Sequence, residues 1–247
     1  MRGVDDGFEP ETTALIARMA VAPTPERATA MDVLIQGLKG AQVWDKLDIL
    51  HVEAAHTAQA AGLNWVSNNF TLTPVNAPEF VVDRGYRSDG SSSYLLTGFN
   101  PAIAGKLVQN SAHLGVWIAS EGAESGQDFG SVNPLYIISR SATNTLLARI
   151  NQASSLSASG ITTALGYSAG SRLGQNDMSI YKNGEMLAQT NLVSTAVSST
   201  ELRVCRATAY ATKRVAITHA GSGLTAEDVQ NLHSLFETYL AKVGVIA

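Results

Sequence analysis

Two periods of apolar residues divide the chain. In the first fifty residues they recur every three or four positions, the spacing of one helix face. Leu15, Ile16 and Met19 fall on such a face within Glu11 to Ala20, and Pro23 and Pro25 interrupt it. Thr24 then has the character of an N-cap, with Pro25 at the first helical position and Glu26 in the first turn. Ala28, Met31, Leu34, Ile35 and Leu38 carry the helical pattern on to Gly40. A further short helix is expected over Val43 to Leu50, and Gln59 to Asn64 reads as a turn region.

From about Phe70 the period shortens. Short β-compatible runs alternate with clusters of turn residues: Phe70 to Val75, Tyr94 to Thr97, Ala112 to Ala119, Leu135 to Arg140, Thr145 to Ile150 and Ile161 to Leu165. Met178 to Lys182, Glu185 to Thr190, Leu202 to Ala207 and Arg214 to His219 complete the set. Ten short strands at this spacing predict a sandwich or barrel. Asn183-Gly184 between two of them supplies the two positive φ angles of a type I′ hairpin. A single helix follows, capped by Thr225, with Glu227 and Asp228 in its first turn and an apolar stripe at Val229, Leu232, Leu235, Phe236, Tyr239 and Leu240. The fold class expected is therefore mainly β: an antiparallel sandwich with N-terminal helices and a C-terminal helix. A helical N-terminal assembly region covers 1–60, and the sandwich covers 61–247 with its helix at 225–242.

Composition narrows the partners. Charged residues are only 15% of the 247, and the net charge is −4. No basic cluster is interleaved with aromatics, so nucleic acid is not an expected partner. No apolar run approaches the ~20 residues of a bilayer span, so no membrane insertion is expected, and Met1 to Pro10 shows no secretory signal. Cys205 is the one cysteine, which excludes intramolecular disulfides and cysteine-rich zinc sites; a small core residue on a strand is its expected role.

Several motifs look chemical. Gly166-Tyr-Ser168-Ala-Gly170 matches the nucleophile elbow of esterases, and Asp177 and His219 could complete a triad. Ser171 to Asp177 offers no helix to receive the elbow, so the motif argues weakly for an enzyme. His51, Glu53 and His56 have neither the metalloprotease nor the deaminase spacing, and a solvated or helix-packing role is expected for them. Glu121, Glu124 and Asp128 read as a polar loop; with Asp83, Asp89, Asn176 and Asp177 they are the oxygen donors available to calcium, the one metal considered. Trp65, Trp117 and Tyr94 are candidate sugar-stacking residues, although Trp117 lies in an apolar strand and fits a core.

One resemblance spans most of the chain from about residue 25. Trp44 to His51, Asp83-Arg-Gly-Tyr-Arg-Ser-Asp-Gly-Ser-Ser-Ser-Tyr94-Leu, Thr97 to Pro101, Ser111 to Trp117, Ile180 to Gly184 and Gly223 to Val229 resemble a family of bacteriophage and prophage proteins. Those carry a concanavalin A-like (laminin-G-like) sandwich, a jelly roll. The resemblance implies a virion location, on a tail fibre, receptor-binding or capsid decoration structure. Its implied partners are other virion proteins and a host surface glycan. It transfers no functional residues by motif. The candidate carbohydrate-binding set is therefore Tyr167 and Tyr210, expected to be exposed because small residues and loops flank them, with Asn176 and Asp177. The expected protein is non-catalytic, needs no cofactor apart from calcium as a candidate, and forms a homo-oligomer, a trimer, through residues before about 60. The alternative is a hydrolase cleaving glycans or esters in the sandwich groove or at Ser168.

Overall fold

The computed structural model describes residues 7–132 and 134–246. The N-terminal stretch read for a secretory signal lies partly outside them, at 1–6. Two antiparallel sheets form a sandwich. The first runs β13 (Glu185–Thr190), β12 (Asp177–Lys182), β11 (Gly166–Gly174), β6 (Ala112–Ile118), β15 (Val215–Gly221), β4 (Gly85–Arg87) and β3 (Glu79–Val81). β1 (Leu47–Val52) also pairs with β15, on the side away from β6. The second sheet runs β10 (Leu156–Ser159), β9 (Thr145–Ile150), β8 (Leu135–Ile138), β7 (Phe129–Gly130), β14 (Arg203–Val204), β5 (Tyr94–Leu96) and β2 (Thr73–Val75). Among the described residues no helix is long and apolar enough to cross a membrane.

The period of two along each strand divides its side chains between two cores. Leu114, Val116 and Ile118 of β6 point between the sheets and meet Leu95, Phe129, Ile137 and Ile150 of the second sheet. Trp117 of the same strand points the other way, toward the helices. There α1 (Pro10–Ile16), α2 (Pro25–Gly40) and α4 (Ala226–Lys242) cover the outer face of the first sheet, the one-turn α3 (Ala58–Ala61) lying between α2 and α4 in sequence. Leu15, Leu34, Ile35 and Leu38 from the N-terminal helices and Phe236 and Leu240 from α4 pack with Trp117, Tyr167 and Ile217 in one buried cluster. Both caps read from the sequence form. Thr24 accepts from the Arg27 N–H, and Thr225 and Asp228 close a capping box. The Asn183-Gly184 turn has both φ angles positive, at 49° and 84°.

Four local expectations change. Val43 to Leu50 is not a helix: only Trp44–Lys46 makes a 3-10 turn, and β1 follows at once. All six β1 residues are buried, Asp48 and His51 among them, and the ladder to β15 decides that this segment extends. Ile161 to Leu165 is not a strand; the regular element there is β11, which absorbs the Gly166–Gly170 motif. Phe70 to Val75 and Leu202 to Ala207 shorten to Thr73–Val75 and Arg203–Val204.

Phe236 stands edge-on to Tyr167 with centroids 5.9 Å apart and tilts against His219 at 5.5 Å, linking α4 to β11 and β15. Phe236→Ala should cost about 3–5 kcal/mol of unfolding free energy, as buried Phe truncations do. Urea denaturation measures it. A loss below about 0.5 kcal/mol, the range of ordinary surface changes, would show that α4 lies outside the cooperative unit.

Candidate functional site

The covering helices leave one broad sheet face open, the outer face of the second sheet. Its residues alternate: Thr145, Leu147 and Arg149 of β9 are half-buried, while Leu146, Ala148 and Ile150 point inward. Directly opposite residues share a face. Leu96, Arg203, Gly130, Tyr136 and Arg149 therefore form one row across five strands. Gly130 contributes no side chain and breaks the row between Arg203 and Tyr136. The Arg149 guanidinium lies 5.2 Å from the centre of the Tyr136 ring, whose hydroxyl bonds Ser155 at 2.7 Å.

Beside this row is a tighter group. The Arg206 guanidinium lies 4.6 Å from the Tyr94 ring centre and 4.7 Å from that of Tyr210, and Arg203 lies 5.6 Å from Tyr94. The two rings are 6.2 Å apart. Each member is fixed by its backbone. The Asp89-Gly-Ser-Ser-Ser-Tyr94 segment folds around the Asp89 carboxylate, which accepts the N–H groups of Ser91, Ser92 and Ser93 at 2.9, 2.8 and 3.0 Å. Those bonds hold Asp89 well below the usual carboxylate range and lead the chain into β5 at Tyr94. Arg206 and Tyr210 face each other in an isolated antiparallel bridge. Gln127 accepts the N–H groups of Thr208 and Ala209 at 3.0 and 2.7 Å, which ties down the intervening loop. A Cβ on Gly126 would sit 1.8 Å from the Tyr210 carbonyl, so only glycine admits this approach.

The expected carbohydrate-binding set is divided. Tyr210 belongs to the open aromatic group. Asn176 lines a polar cleft of about 450 Å³ with Gln189, Thr190 and Asn191, and Asp177 beside it accepts from Gln189 at 2.9 Å. Tyr167 is not exposed. It is fully buried beneath α4, because its position in β11 turns it to the helix-covered face. Its hydroxyl bonds His219 Nε2 at 2.8 Å; His219 Nδ1 lies 2.9 Å from His113 Nε2, and His113 Nδ1 lies 2.5 Å from the Ser222 carbonyl. Tyr94, considered from the sequence, belongs to the same group as Tyr210. Arg203 and Arg206 were missed: three apart, they would point to opposite faces of an extended strand, and the left-handed Cys205 between them, at φ 63°, is what lets both reach Tyr94.

Ser168 has no nucleophile geometry. It lies within β11, fully buried, and no helix follows it. Ser168 and Thr218 are both opposite Val116, so they share a face, and His219, one residue on, points to the other side of the sheet. Asp177 lies at the far end of β12 from Lys182, the residue opposite Ser168. Lys182 donates to Ser168 Oγ at 3.4 Å and to the Ala164 carbonyl at 3.0 Å, and burial pushes its ammonium down to about 8.

The metal candidates are also separated. His51 and Glu53 are not solvated. His51 is buried on β1 with Nε2 2.8 Å from the Phe70 carbonyl, and His56 bonds the Val21 carbonyl. The acids considered for calcium are engaged by protein donors. Asp83 pairs with Arg27 at 2.7 Å, Asp128 pairs with the buried Lys213 at 3.1 Å, and Glu124 accepts the Thr212 and Lys213 N–H groups. Glu121 accepts from Thr163 and Ala164. Among the described residues no group of three or more His, Cys, Asp or Glu is placed to hold a metal ion. A cleft of about 530 Å³ beside Asp89 and Glu121 contains Glu79, whose carboxylate is shared by Arg87 at 2.5 Å and Arg214 at 3.1 Å.

Known proteins place the fold. No protein-family model matches the sequence, and no curated protein matches it. Among solved structures, the botulinum neurotoxin serotype D binding domain superposes with a TM-score of 0.54 at 10% identity, covering 77% of this chain and 52% of that one. Botulinum neurotoxin type C, whose uptake by cells depends on interaction with two ganglioside molecules, gives 0.54 at 13% identity over 79% and 53%. Trypanosoma rangeli sialidase in complex with difluorosialic acid gives 0.54 at 10% identity over 83% and 38%. The chain spans about half the length of the toxin domains it matches. The shared element is the fold: an antiparallel two-sheet sandwich.

Two measurements follow from this geometry. Ser168→Ala should leave the fold and any binding unchanged, and a fluorophosphonate should not label the native chain; stoichiometric labelling lost in the variant would overturn the assignment. The second concerns acid. Burial lowers His51 and His113 to about 4 and His219 well below its ordinary value of 6.5. The unfolded chain therefore takes up these protons first, and the stability they contribute, complete above pH 6.5, is lost as the pH falls toward 4. Glu53 acts oppositely, since burial raises it to about 8, so its contribution is complete below its ordinary 4.5 and is lost as the pH rises through 8. Melting temperature should fall between pH 7 and pH 4.5, more steeply in Glu53→Gln; an equal or shallower fall in that variant would refute the assignment.

Proposed function

We propose that the chain is a non-catalytic glycan-binding protein of a bacteriophage particle exterior, on a tail fibre, receptor-binding or decoration structure. The observation that carries the reading is the asymmetry of the sandwich: helices cover one outer face, and the other presents tyrosines and arginines held rigid by their own loops. Rigid aromatic and planar hydrogen-bonding groups lose little entropy on binding. Structural likeness to botulinum neurotoxin type C, whose cell entry depends on two ganglioside molecules, supports the reading as an analogy of fold. The particle location rests on the resemblance of the Asp83–Leu95 segment and its companions to phage proteins. Its partners are other virion proteins and a host surface glycan.

The reading extends to a homo-oligomer, a trimer. Single protein–glycan contacts are weak, and joining several raises avidity by orders of magnitude. The low charged content, 15%, suits extended subunit contact.

Retention of the purified chain on immobilised host surface polysaccharide, with no release of reducing ends, should accompany antibody decoration of the exterior of intact particles. Product release would overturn the non-catalytic assignment, and absence from particles would overturn the virion assignment. Light scattering at micromolar concentration should give a multiple of the 26.0 kDa chain mass; a monomer there would refute the oligomer.

A further inference from the structure

We propose that the group formed by Tyr94, Arg206, Tyr210 and Arg203 selects acidic saccharides and holds their anionic substituent on its guanidinium edges. The inference rests on the glycan-binding reading and names its ligand class. Arg206 stands against two tyrosine rings at 4.6 and 4.7 Å, and Arg203 against Tyr94 at 5.6 Å. Stacking occupies the flat faces of a guanidinium and leaves its donors, which lie in its plane, available for a planar carboxylate or a sulfate.

The terminal Nη donors are the ones a ligand can reach, because both Nε atoms are buried. Nε of both arginines is buried without a hydrogen-bond partner, and among the described residues neither arginine forms an ion pair. The two guanidinia are thus held in place by rings rather than by carboxylates. Glu201, close by in sequence, is turned to the Gly98 N–H at 3.1 Å. In a chain of net charge −4, two arginines with no protein counter-ion are placed for an external anion.

The same stacking disfavours a neutral sugar. A neutral saccharide binds such a face by laying its apolar side on an open aromatic ring, but Tyr94 already has two cations against it and Tyr210 has one. The gap at Gly130 then separates Arg203 from the second pair, Tyr136 and Arg149, by two strand spacings, roughly 10 Å. An extended acidic polymer crossing the strands meets cations on both sides of that gap.

Calorimetry on the full chain with four probes tests this: an oligogalacturonate, a heparin-derived tetrasaccharide, neutral maltotetraose, and oligo-dT as a non-saccharide polyanion. The carboxylated or the sulfated probe should bind, and which of the two is tighter identifies the anionic group. Arg206→Gln and Arg203→Gln should each weaken it about tenfold or more, the effect of losing a charge-assisted contact. Arg206→Lys, which keeps the charge and loses the fork, should also weaken it. Lys242→Gln removes the same charge from exposed α4 and should change nothing; circular dichroism confirms folding of each variant. Equal binding of maltotetraose, insensitive to Arg206→Gln, would refute the acidic selectivity and leave glycan binding standing. No binding of any saccharide would refute both. Oligo-dT binding as tightly as the acidic sugars, or an unchanged Arg206→Lys, would show a general polyanion surface and overturn the proposal.

Discussion

The first sheet has to be covered on both sides, and the rest of the architecture follows from that requirement. Strands β6, β11 and β15 send apolar or aromatic side chains in both directions: Leu114 and Val116 inward, Trp117, Tyr167 and Ile217 outward. Burying side chains of this size is worth roughly 1.5–3 kcal/mol each, and leaving a continuous apolar face in water is not an option for a stable monomer or subunit. The second sheet covers one side, and α1, α2 and α4 cover the other. Amphipathic helices with caps at Thr24 and Thr225 are the available cover because neither has a core of its own. Once they are placed, the outer face of the second sheet is where exposed side chains can be organised into a broad surface.

Large polar groups inside the sandwich are tolerated where the protein itself pairs them. Arg172 on β11 is the clearest case. Its guanidinium donates to the carbonyls of Ile150, Gly174 and Gln175 at 2.8, 3.1 and 2.9 Å and to the Gln152 amide oxygen at 2.8 Å. It thereby joins the first sheet to the end of β9 in the second. An unpaired buried charge there would cost several kcal/mol. The Tyr167–His219–His113 chain solves the same problem with neutral groups, and Gly115 leaves the space: a Cβ there would sit 1.9 Å from His219 Nε2. The contrast with the open face is chemical. Arg172 spends its donors on the protein, while Arg203 and Arg206 spend their flat faces on tyrosines and keep donors in reserve.

Sequence alone determined what depends on neighbours in the chain. The caps at Thr24 and Thr225, the Asn183-Gly184 hairpin and the strand at Glu185 to Thr190 form as read, because turn dihedrals, capping bonds and a two-residue period are local properties. The mainly β class followed from the spacing of such runs. Tertiary structure decided whatever depends on a distant partner. Leu47 to Val52 has no strict alternation of apolar and polar residues, and its ladder to β15, about 170 positions away, makes it a strand. Gly166 to Gly174, rich in Gly and Ser, is not among the strands expected; its ladders to β6 and β12 make it one, and Gly170 leaves room for Ala148 and Ile150 of the other sheet. Tyr167 and Tyr210 look alike in sequence, each among small residues, yet one lies under a helix and the other on the open face. Which side of a strand meets a helix is set by packing between elements far apart in the chain, and so the site could not be read from residue type.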